Sequence, residues 1–169
     1  MFSELFRVLR RDAHIYVCSN ARTKTVFDQA AVQAGFKVRV PLVWDKCSVG
    51  LGGIWRSQFE YVLFYTKGKR PGNHRNRGNV LRAPRVRRGY PTEKPVALLR
   101  ALIEQSSAPG ELVLDPFTGS GSTGQAAAEL DRRALLCDVT PQFAERRLGR
   151  SPRSIESAVA AVKRRQRRG

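Results

Sequence analysis

The sequence predicts an α/β fold in which a mostly parallel sheet is covered by helices. Strand and helix patterns alternate between residues 95 and 148, as they do in βαβ proteins. The strand segments there are continuous apolar runs, which is typical of parallel strands buried on both faces. A glycine-rich loop follows one of these runs and precedes a helix pattern, which is where open α/β sheets bind cofactors. Hydrophobic residues make up 41% of the chain, enough to build a core.

The first half of the chain predicts two helices and three strands. Apolar residues recur at helical spacing near the start, and the strand patterns are rich in β-branched and aromatic residues. Pro41 indicates an edge or a bulge in the second strand, because proline has no N–H to donate. A flexible loop is predicted around Gly50, Gly52 and Gly53. The predicted helices cover residues 2–9 and 26–34, and the predicted strands cover 14–19, 37–44 and 59–66.

The second half opens with a basic segment and then returns to regular structure. Residues 67–90 contain nine Lys or Arg and no acidic residue, with no apolar period, so they predict a loop or a mobile insertion. Beyond residue 149 the chain is basic, and we predict a tail over 150–169 that follows a single domain over 1–149. The elements predicted in between are a helix starting at Pro95, strands over 111–115 and 134–138, and helices over 121–130 and 141–148.

Charge and cysteine content narrow the class of protein. Lys and Arg number 31 against 14 Asp and Glu, a net charge of +17, which favours a polyanionic partner. No apolar run approaches the ~20 residues that span a bilayer, and the N-terminus lacks the apolar stretch of a signal peptide. Cys18, Cys47 and Cys137 fit neither a disulfide framework nor a zinc spacing. We therefore predict buried thiols, no metal, no membrane and a cytoplasmic location.

The glycine-rich loop over residues 115–124 (DPFTGSGSTG) predicts a nucleotide-type ligand. Its glycines let the backbone approach a ligand at a helix N-terminus, and Asp138 follows Gly119 by nineteen residues, where a carboxylate can accept from ribose hydroxyls. The same pattern also satisfies a dinucleotide fingerprint. Asp115, however, would repel a pyrophosphate and attract a cationic amino group. Together with Lys94 upstream, which suits a carboxylate, this favours S-adenosylmethionine.

Several segments, in this order, resemble the C-terminal part of the β-class amino-methyltransferases of DNA, which methylate adenine N6 or cytosine N4. The glycine-rich loop and the YPTEKP segment are among them, with Tyr90 in place of the family's His, and Asp138 stands in place of a family Glu. The combined match is specific. The resemblance covers about residues 2–149 and implies a Rossmann-like methyltransferase sheet. The other matching segments are 8–10 with 14–18, 42–46 with 50–60, 67–68 and 138–141.

The resemblance implies a cofactor site for S-adenosylmethionine. Residues of the glycine-rich loop would line the cofactor, the YPTEKP segment would hold its methionine end, and Asp138 would hold its ribose. Residue by residue, these are Asp115, Phe117, Gly119, Gly121 and Thr123 for the loop, and Thr92 and Lys94 for the methionine end.

The family's catalytic tetrapeptide, D-P-P-Y or S-P-P-Y, does not occur in this sequence, so no catalytic residue is assigned. The resemblance places that tetrapeptide ahead of the matching segments, in a stretch that also provides two strands of the sheet. One of them would lie between the strands over 111–115 and 14–19, and its absence would leave unpaired backbone there. Another segment or a second chain would fill that place, or the sheet would close up differently. We expect this chain alone to be catalytically silent. Adenine and cytosine stay equally open as targets.

The basic residues predict contacts with double-stranded DNA. The basic segment falls where the family places its target-recognition region, and most of its cations suit phosphate rather than bases. A solvated basic loop, and a noncatalytic DNA-binding protein or subunit derived from such an enzyme, are the alternatives. An RNA-binding protein would leave the glycine-rich loop unexplained. The residues assigned to DNA are Arg56, Lys67, Lys69, Arg70, Arg75, Arg77, Arg87 and Arg88.

Overall fold

The computed structural model describes residues 1–87 and 89–149, and it divides into two compact units, Met1–Pro84 and Arg85–Gly169. The predicted domain over 1–149 spans both units, and the predicted tail over 150–169 lies outside the described residues. The first unit contains α1 (Phe2–Val8), β1 (Ala13–Ser19), α2 (Ala21–Gln33), β2 (Lys37–Val38), β3 (Leu42–Asp45), β4 (Phe59–Lys67) and β5 (Val80–Arg82). The second contains α3 (Val96–Ser106), β6 (Leu112–Asp115), α4 (Ser122–Glu129), β7 (Arg133–Leu136) and α5 (Gln142–Leu148).

The α/β class is confirmed, with a mixture of parallel and antiparallel pairing. In the first unit the strand order is β1-β4-β3-β5, with β2 also on β4. The strand β4 pairs antiparallel with β1, β2 and β3, whereas β3 and β5 are parallel. The prediction of a mostly parallel sheet therefore does not hold in this unit. The chain returns from β3 to β4 through a loop without a crossover helix, and such a connection favours antiparallel pairing.

The register of this sheet gives it two distinct ends. Because β1 and β3 both run against β4, their carboxyl ends lie beside the start of β4, at Tyr61 and Phe59. The strand β5 runs with β3 and ends at the same end of the sheet. The amino end of β1 lies beside Lys67, at the other end of β4. The nine residues of β4 separate the two ends by about 26 Å. We call them the carboxyl end and the amino end of the first unit.

An aromatic core holds α1 and α2 on one face of this sheet. Phe2 is buried and makes edge contacts with the rings of Phe27, Phe36 and Tyr65, the last at 5.6 Å between centroids. The helix α2 begins at Ala21, earlier than predicted. The reason is a side-chain cap, because Asn20 Oδ1 accepts from the backbone N–H groups of Arg22 and Thr23 in the first turn.

Two other predictions for this unit need correction. The strand predicted over 37–44 is interrupted between β2 and β3, at the segment that contains Pro41. The basic segment predicted as a loop contains β5, which pairs with β3 over Val80–Arg82. So short a strand has no period of its own, and its backbone is ordered by pairing with a distant segment.

The second unit is a parallel β6–β7 pair connected by α4. Leu112 pairs with Arg133 and Asp115 with Leu136, so both strands end together beside the glycine-rich loop. Ala126 and Ala127 of α4 are fully buried and pack with Ile103 of α3. Small side chains let the two helices approach closely. The predicted helices and strands of this half are confirmed, with shifts of one or two residues at their ends.

The remaining predictions concern cysteines, metals and membranes. Cys18, Cys47 and Cys137 form no disulfide, and Cys137 is buried as predicted, but Cys47 is exposed, so the prediction of a buried thiol is wrong there. The described residues contain no group of three or more metal-ligating side chains. Across residues 1–87 and 89–149, every helix is too short or too polar to cross a bilayer.

Candidate cofactor site and nucleic-acid interface

The glycine-rich loop is closed by hydrogen bonds to the end of β7. The N–H of Phe117 donates to Asp115 Oδ1 at 3.0 Å, which turns the chain sharply after β6. The Thr118 N–H donates to the Cys137 carbonyl at 3.0 Å. The Gly119 N–H donates to Asp138 Oδ2 at 2.7 Å. The structure therefore brings Asp115, the loop and Asp138 together, as the sequence predicts.

Two glycines of the loop are required by conformation and by space. Gly119 and Gly121 have φ angles of +48° and +81°, a region that L side chains rarely adopt. A Cβ on Gly119 would lie 3.0 Å from the ring of Tyr90, and one on Gly121 would lie 3.0 Å from Ala144 Cα. The loop is consequently packed between the YPTEKP segment and α5, with no room for larger residues.

The two carboxylates of the site have opposite tendencies to ionise. Burial raises the pKa of Asp115, and the nearby charge of Asp138 raises it further, against hydrogen bonds from Thr123 and from the Phe117 N–H. Burial alone would also raise the pKa of Asp138, but hydrogen bonds from Thr140, Gly119 and Val139 outweigh it, and the pKa is lowered. Because a cation beside Asp115 would stabilise its charged form, this pair suits a positively charged ligand.

The YPTEKP segment packs onto the glycine-rich loop and onto α5. The ring of Tyr90 lies over Gly119 and makes an edge contact with Phe143, at 5.0 Å between centroids. Glu93 is buried and forms an ion pair with Arg147 of α5. These contacts were missed at the sequence level. The position of Tyr90 in the YPTEKP motif could have predicted its contact with the loop. No sequence pattern indicates that Glu93 pairs with Arg147 of α5.

The predicted ligands at the methionine end occupy the same segment. Thr92 is exposed, and its carbonyl accepts from Lys94 Nζ at 3.0 Å. Within the loop, Phe117 is 69% exposed. The Thr118 hydroxyl oxygen is buried and has no hydrogen-bond partner in the structure. Since buried hydroxyl groups in proteins are nearly always paired, this atom suits a polar group of a bound ligand.

The residues predicted to contact DNA do not form one patch. Arg56 lies at the carboxyl end of the first unit, where its Nε donates to the Gly50 carbonyl at 2.8 Å. Arg82, at the end of β5, lies 3.5 Å from Asp45. The pKa of Asp45 is lowered, mainly by the hydrogen bond from Gln58 at 3.0 Å. The hydrogen bond from the Cys47 N–H and the charge of Arg82 lower it further.

The cations that begin the basic segment lie at the amino end instead. The ammonium of Lys67 donates to the carbonyls of Phe6 and Leu9, at 2.5 and 2.7 Å, and so caps α1. The Lys69 N–H donates to Asp12 Oδ1 at 2.7 Å, and the Arg70 carbonyl contacts His14 Nε2 at 2.9 Å. Burial, more than the nearby charges, lowers the pKa of His14.

These contacts frame an open cleft with four cationic side chains. Its volume is about 460 Å³, and it is lined by Arg10, Arg11, Asp12, Lys69, Arg70 and Pro71. Arg10 and Arg11 were missed as candidate nucleic-acid contacts because only the pairing of Ala13 with Lys67 brings them beside Lys69. Arg75, Arg77 and Arg87 are exposed, and Arg88 lies outside the described residues.

Comparison with known proteins agrees with this geometry. A model of the N6/N4 DNA methylase family matches residues 70–147. YubD of Escherichia coli K12, a protein named as a methylase, is 32% identical over 162 residues, covering 94% of this chain and 71% of YubD. The chain belongs to the N6/N4 DNA methylase family.

Other members and folds extend this comparison. The family member YhdJ of Escherichia coli K12, named a DNA adenine methyltransferase, is 26% identical over 98% of this chain and 70% of its own length. The crystal structure of the M1.HpyAVI–SAM complex superposes with a TM-score of 0.77 at 24% identity, covering 87% of this chain and 80% of that one. That likeness shows the methyltransferase fold.

Proposed function

We propose that this methylase binds S-adenosylmethionine at the glycine-rich loop and serves the methylation of an exocyclic amine of DNA, at adenine N6 or cytosine N4. The proposal depends on one observation. Asp115 and Asp138 lie at the ends of adjacent parallel strands, and the Gly119 N–H joins the loop to Asp138 at 2.7 Å. This places two acidic groups and the start of a helix at one carboxyl edge, as ligand binding in open α/β sheets requires.

The residues of this site fit S-adenosylmethionine. Each oxygen of Asp138 already accepts from the protein, and a carboxylate has further lone pairs for ribose hydroxyls. Asp115 suits the cationic amino group, and Lys94 suits the carboxylate of the methionine end. Thr118 offers an unpaired hydroxyl, and the exposed ring of Phe117 can cover an adenine. When bound, the cofactor supplies the methyl group on a positively charged sulfur.

We propose further that this chain does not complete methyl transfer alone. Orienting the exocyclic amine requires acceptors such as those of the D-P-P-Y or S-P-P-Y tetrapeptide, which the 169 residues do not contain. Among the described residues, β6 pairs only with β7, and β1 pairs only with β4. Each of these strands thus has an edge on which a further strand can pair. Another polypeptide segment or a second chain would supply the missing groups there.

DNA binding is proposed to depend mainly on phosphate contacts. Lys69, Arg75, Arg77, Arg87 and Arg56 are exposed, whereas Arg70 is half-buried. Arg56 also donates from Nε to the Gly50 carbonyl. Lys67 is proposed to make a weaker contact with the DNA backbone than the exposed cations, because its ammonium already binds two carbonyls of the protein. Neutralising several phosphates releases counterions, so we expect binding that falls steeply with salt.

Calorimetry and a methylation assay test these proposals. The protein should bind S-adenosylmethionine and show no comparable affinity for NAD. With radiolabelled cofactor and unmethylated DNA, it should transfer no methyl group alone and should do so once a polypeptide carrying the tetrapeptide is added. Analysis of the product nucleosides then distinguishes adenine from cytosine. Transfer by the chain alone would contradict the proposed incompleteness, and absence of cofactor binding would contradict the site.

The alternative is a noncatalytic DNA-binding protein of this family. The exposed cations of the basic segment favour it, because they bind phosphate whether or not a cofactor is present. It predicts salt-dependent DNA binding with neither cofactor binding nor methyl transfer, whichever polypeptide is added. The same two measurements therefore separate the two functions.

A further inference from the structure

An ordered loop at the carboxyl end of the first unit presents apolar side chains to solvent. The loop joins β3 to β4 over residues 46–58. Leu51, Ile54 and Trp55 are 94%, 96% and 91% exposed. We call these three residues the apolar tip. Several large apolar side chains exposed on one short loop are a candidate binding site, whereas single exposed ones are common on protein surfaces.

The stem below the apolar tip is held by specific contacts. The Gly50 N–H donates to the Ser57 carbonyl at 2.7 Å, and Arg56 Nε donates back to the Gly50 carbonyl at 2.8 Å. A Cβ at Gly50 would lie 2.8 Å from the Ser57 carbonyl oxygen, and one at Gly52 would lie 2.7 Å from the Trp55 carbonyl oxygen. The two sides of the loop are therefore in close backbone contact at the stem, which holds the tip in place.

The surroundings of the apolar tip suit a polyanion. Residues 46–58 contain no acidic side chain, and Arg56 is part of the loop. The strand β5 of the basic segment ends at the same place, because Arg82 and Gln58 both contact Asp45. An apolar tip flanked by cations, at the end of the sheet where the parallel strands finish, combines phosphate attraction with groups that can enter a base stack.

We propose that the apolar tip is a wedge that inserts between stacked bases of duplex DNA. The proposal rests on the proposed function, since it takes DNA as the partner. Apolar side chains that enter a duplex unstack neighbouring bases, and this would help a target base to leave the helix. The aromatic ring of Trp55 can stack on a base, while Leu51 and Ile54 fill the space beside it.

Two duplexes that differ at one position test the wedge. One is fully paired and the other has an abasic site, where insertion costs less unstacking. In fluorescence anisotropy the wild type should bind the abasic duplex roughly tenfold more tightly, the size expected for stacking on one aromatic side chain. The variant with Leu51→Ser, Ile54→Ser and Trp55→Ser should keep less than about a twofold preference. Trp55→Phe should retain most of it.

A matched control removes apolar surface elsewhere. Val26 and Val32, on α2, are also exposed, and Val26→Ser with Val32→Ser should keep the preference of the wild type. Because the replaced side chains are exposed in both variants, both should fold. The chain has two tryptophans, and Trp44 is buried with its indole N–H on the Ala83 carbonyl. A change of emission on DNA binding that disappears with Trp55→Phe therefore reports the tip.

The outcomes separate this inference from the proposed function. If the wild type binds no duplex in a salt-dependent way, both are overturned. If it binds DNA but does not distinguish the two duplexes, or if the serine variant distinguishes them equally, the wedge alone is overturned. A change of oligomeric state in the serine variant by sedimentation, with an unchanged DNA preference, would instead assign the apolar tip to a protein contact and overturn the wedge.

Discussion

The glycine-rich loop and the basic residues show two ways in which a sequence can assemble a site. The loop and its partner Asp138 are close along the chain, and one βαβ connection brings them within a hydrogen bond. The basic residues are also close along the chain, but β4, which is about 26 Å long, separates Lys67 from the loop that contains Arg56. In this chain Asp115 and Asp138, which lie on one βαβ connection, come together in one site, whereas the basic residues are divided between the two ends of β4.

The strongest test of the loop removes its backbone freedom. Gly121→Ala places a Cβ at a φ of +81° and 3.0 Å from Ala144 Cα, whereas Gly110→Ala has a φ of +79° and open space around it. We expect Gly110→Ala to lower the free energy of unfolding by about 1–2 kcal/mol and Gly121→Ala by about 2–5 kcal/mol. Urea denaturation measures both. Equal effects would mean that conformation alone, without packing, requires glycine at position 121.

The next test removes the acceptor that joins the loop to β7. Asp138→Ala should weaken S-adenosylmethionine binding by roughly 10- to 100-fold, because charge-assisted hydrogen bonds to the ribose and to the Gly119 N–H are lost. Isothermal calorimetry measures the change. Glu129→Gln alters an exposed carboxylate of α4 that pairs with Arg100 of α3, and it should leave the affinity unchanged. An unchanged cofactor affinity in Asp138→Ala would contradict the proposal that Asp138 binds the ribose.

Replacing basic residues in pairs tests whether the two ends of β4 contribute independently to DNA binding. Lys69→Ala with Arg70→Ala, and Arg56→Ala with Arg82→Ala, should each lower the salt dependence of DNA binding by up to about 1.8 in log–log slope. At 0.15 M salt the Debye length is only about 8 Å, so the two effects should add in the fourfold variant. Anisotropy titrations at several salt concentrations measure the slopes. Non-additive slopes would show one continuous DNA path across both ends.

The smallest effect concerns the pH dependence of stability in the loop. Asp115 has a higher pKa in the folded protein than its ordinary value of 3.8. Its contribution to the free energy of unfolding is therefore favourable below pH 3.8 and is lost as the pH rises through the folded pKa. Asp115→Asn should therefore stabilise the protein at pH 7 and lose this advantage at acidic pH. For Asp138, whose pKa is lowered, the contribution is present above 3.8 and is lost as pH falls through the folded value.

Urea denaturation between pH 3 and pH 7 compares these two variants directly. Asp138→Asn should be less stable than the wild type at neutral pH and approach it in acid, the opposite trend to Asp115→Asn. Each variant is the control of the other, because both change one carboxylate of the same site to an amide. Parallel pH profiles would contradict the assigned roles of burial and hydrogen bonding.

The sequence predicted what local physics determines. The helix before β6, the β6–α4–β7 unit and the loop with its two carboxylates followed from apolar runs and glycine positions. The strand β5 and the cleft with Arg10 and Arg11 did not, because both depend on pairing between segments far apart in the chain. The apolar tip was visible only as a glycine loop, since exposure of Trp55 is a property of the fold.

Lys67 shows that the number of basic residues overstates what nucleic acid encounters. Its ammonium is held by two carbonyls at the end of α1 and lies 4.4 Å from the centre of the Phe6 ring. One of the nine cations in the basic segment is thus used in contacts within the protein. Replacing it would loosen the first helix rather than detach a phosphate, and acetylation of that amine would act on folding before it acted on affinity.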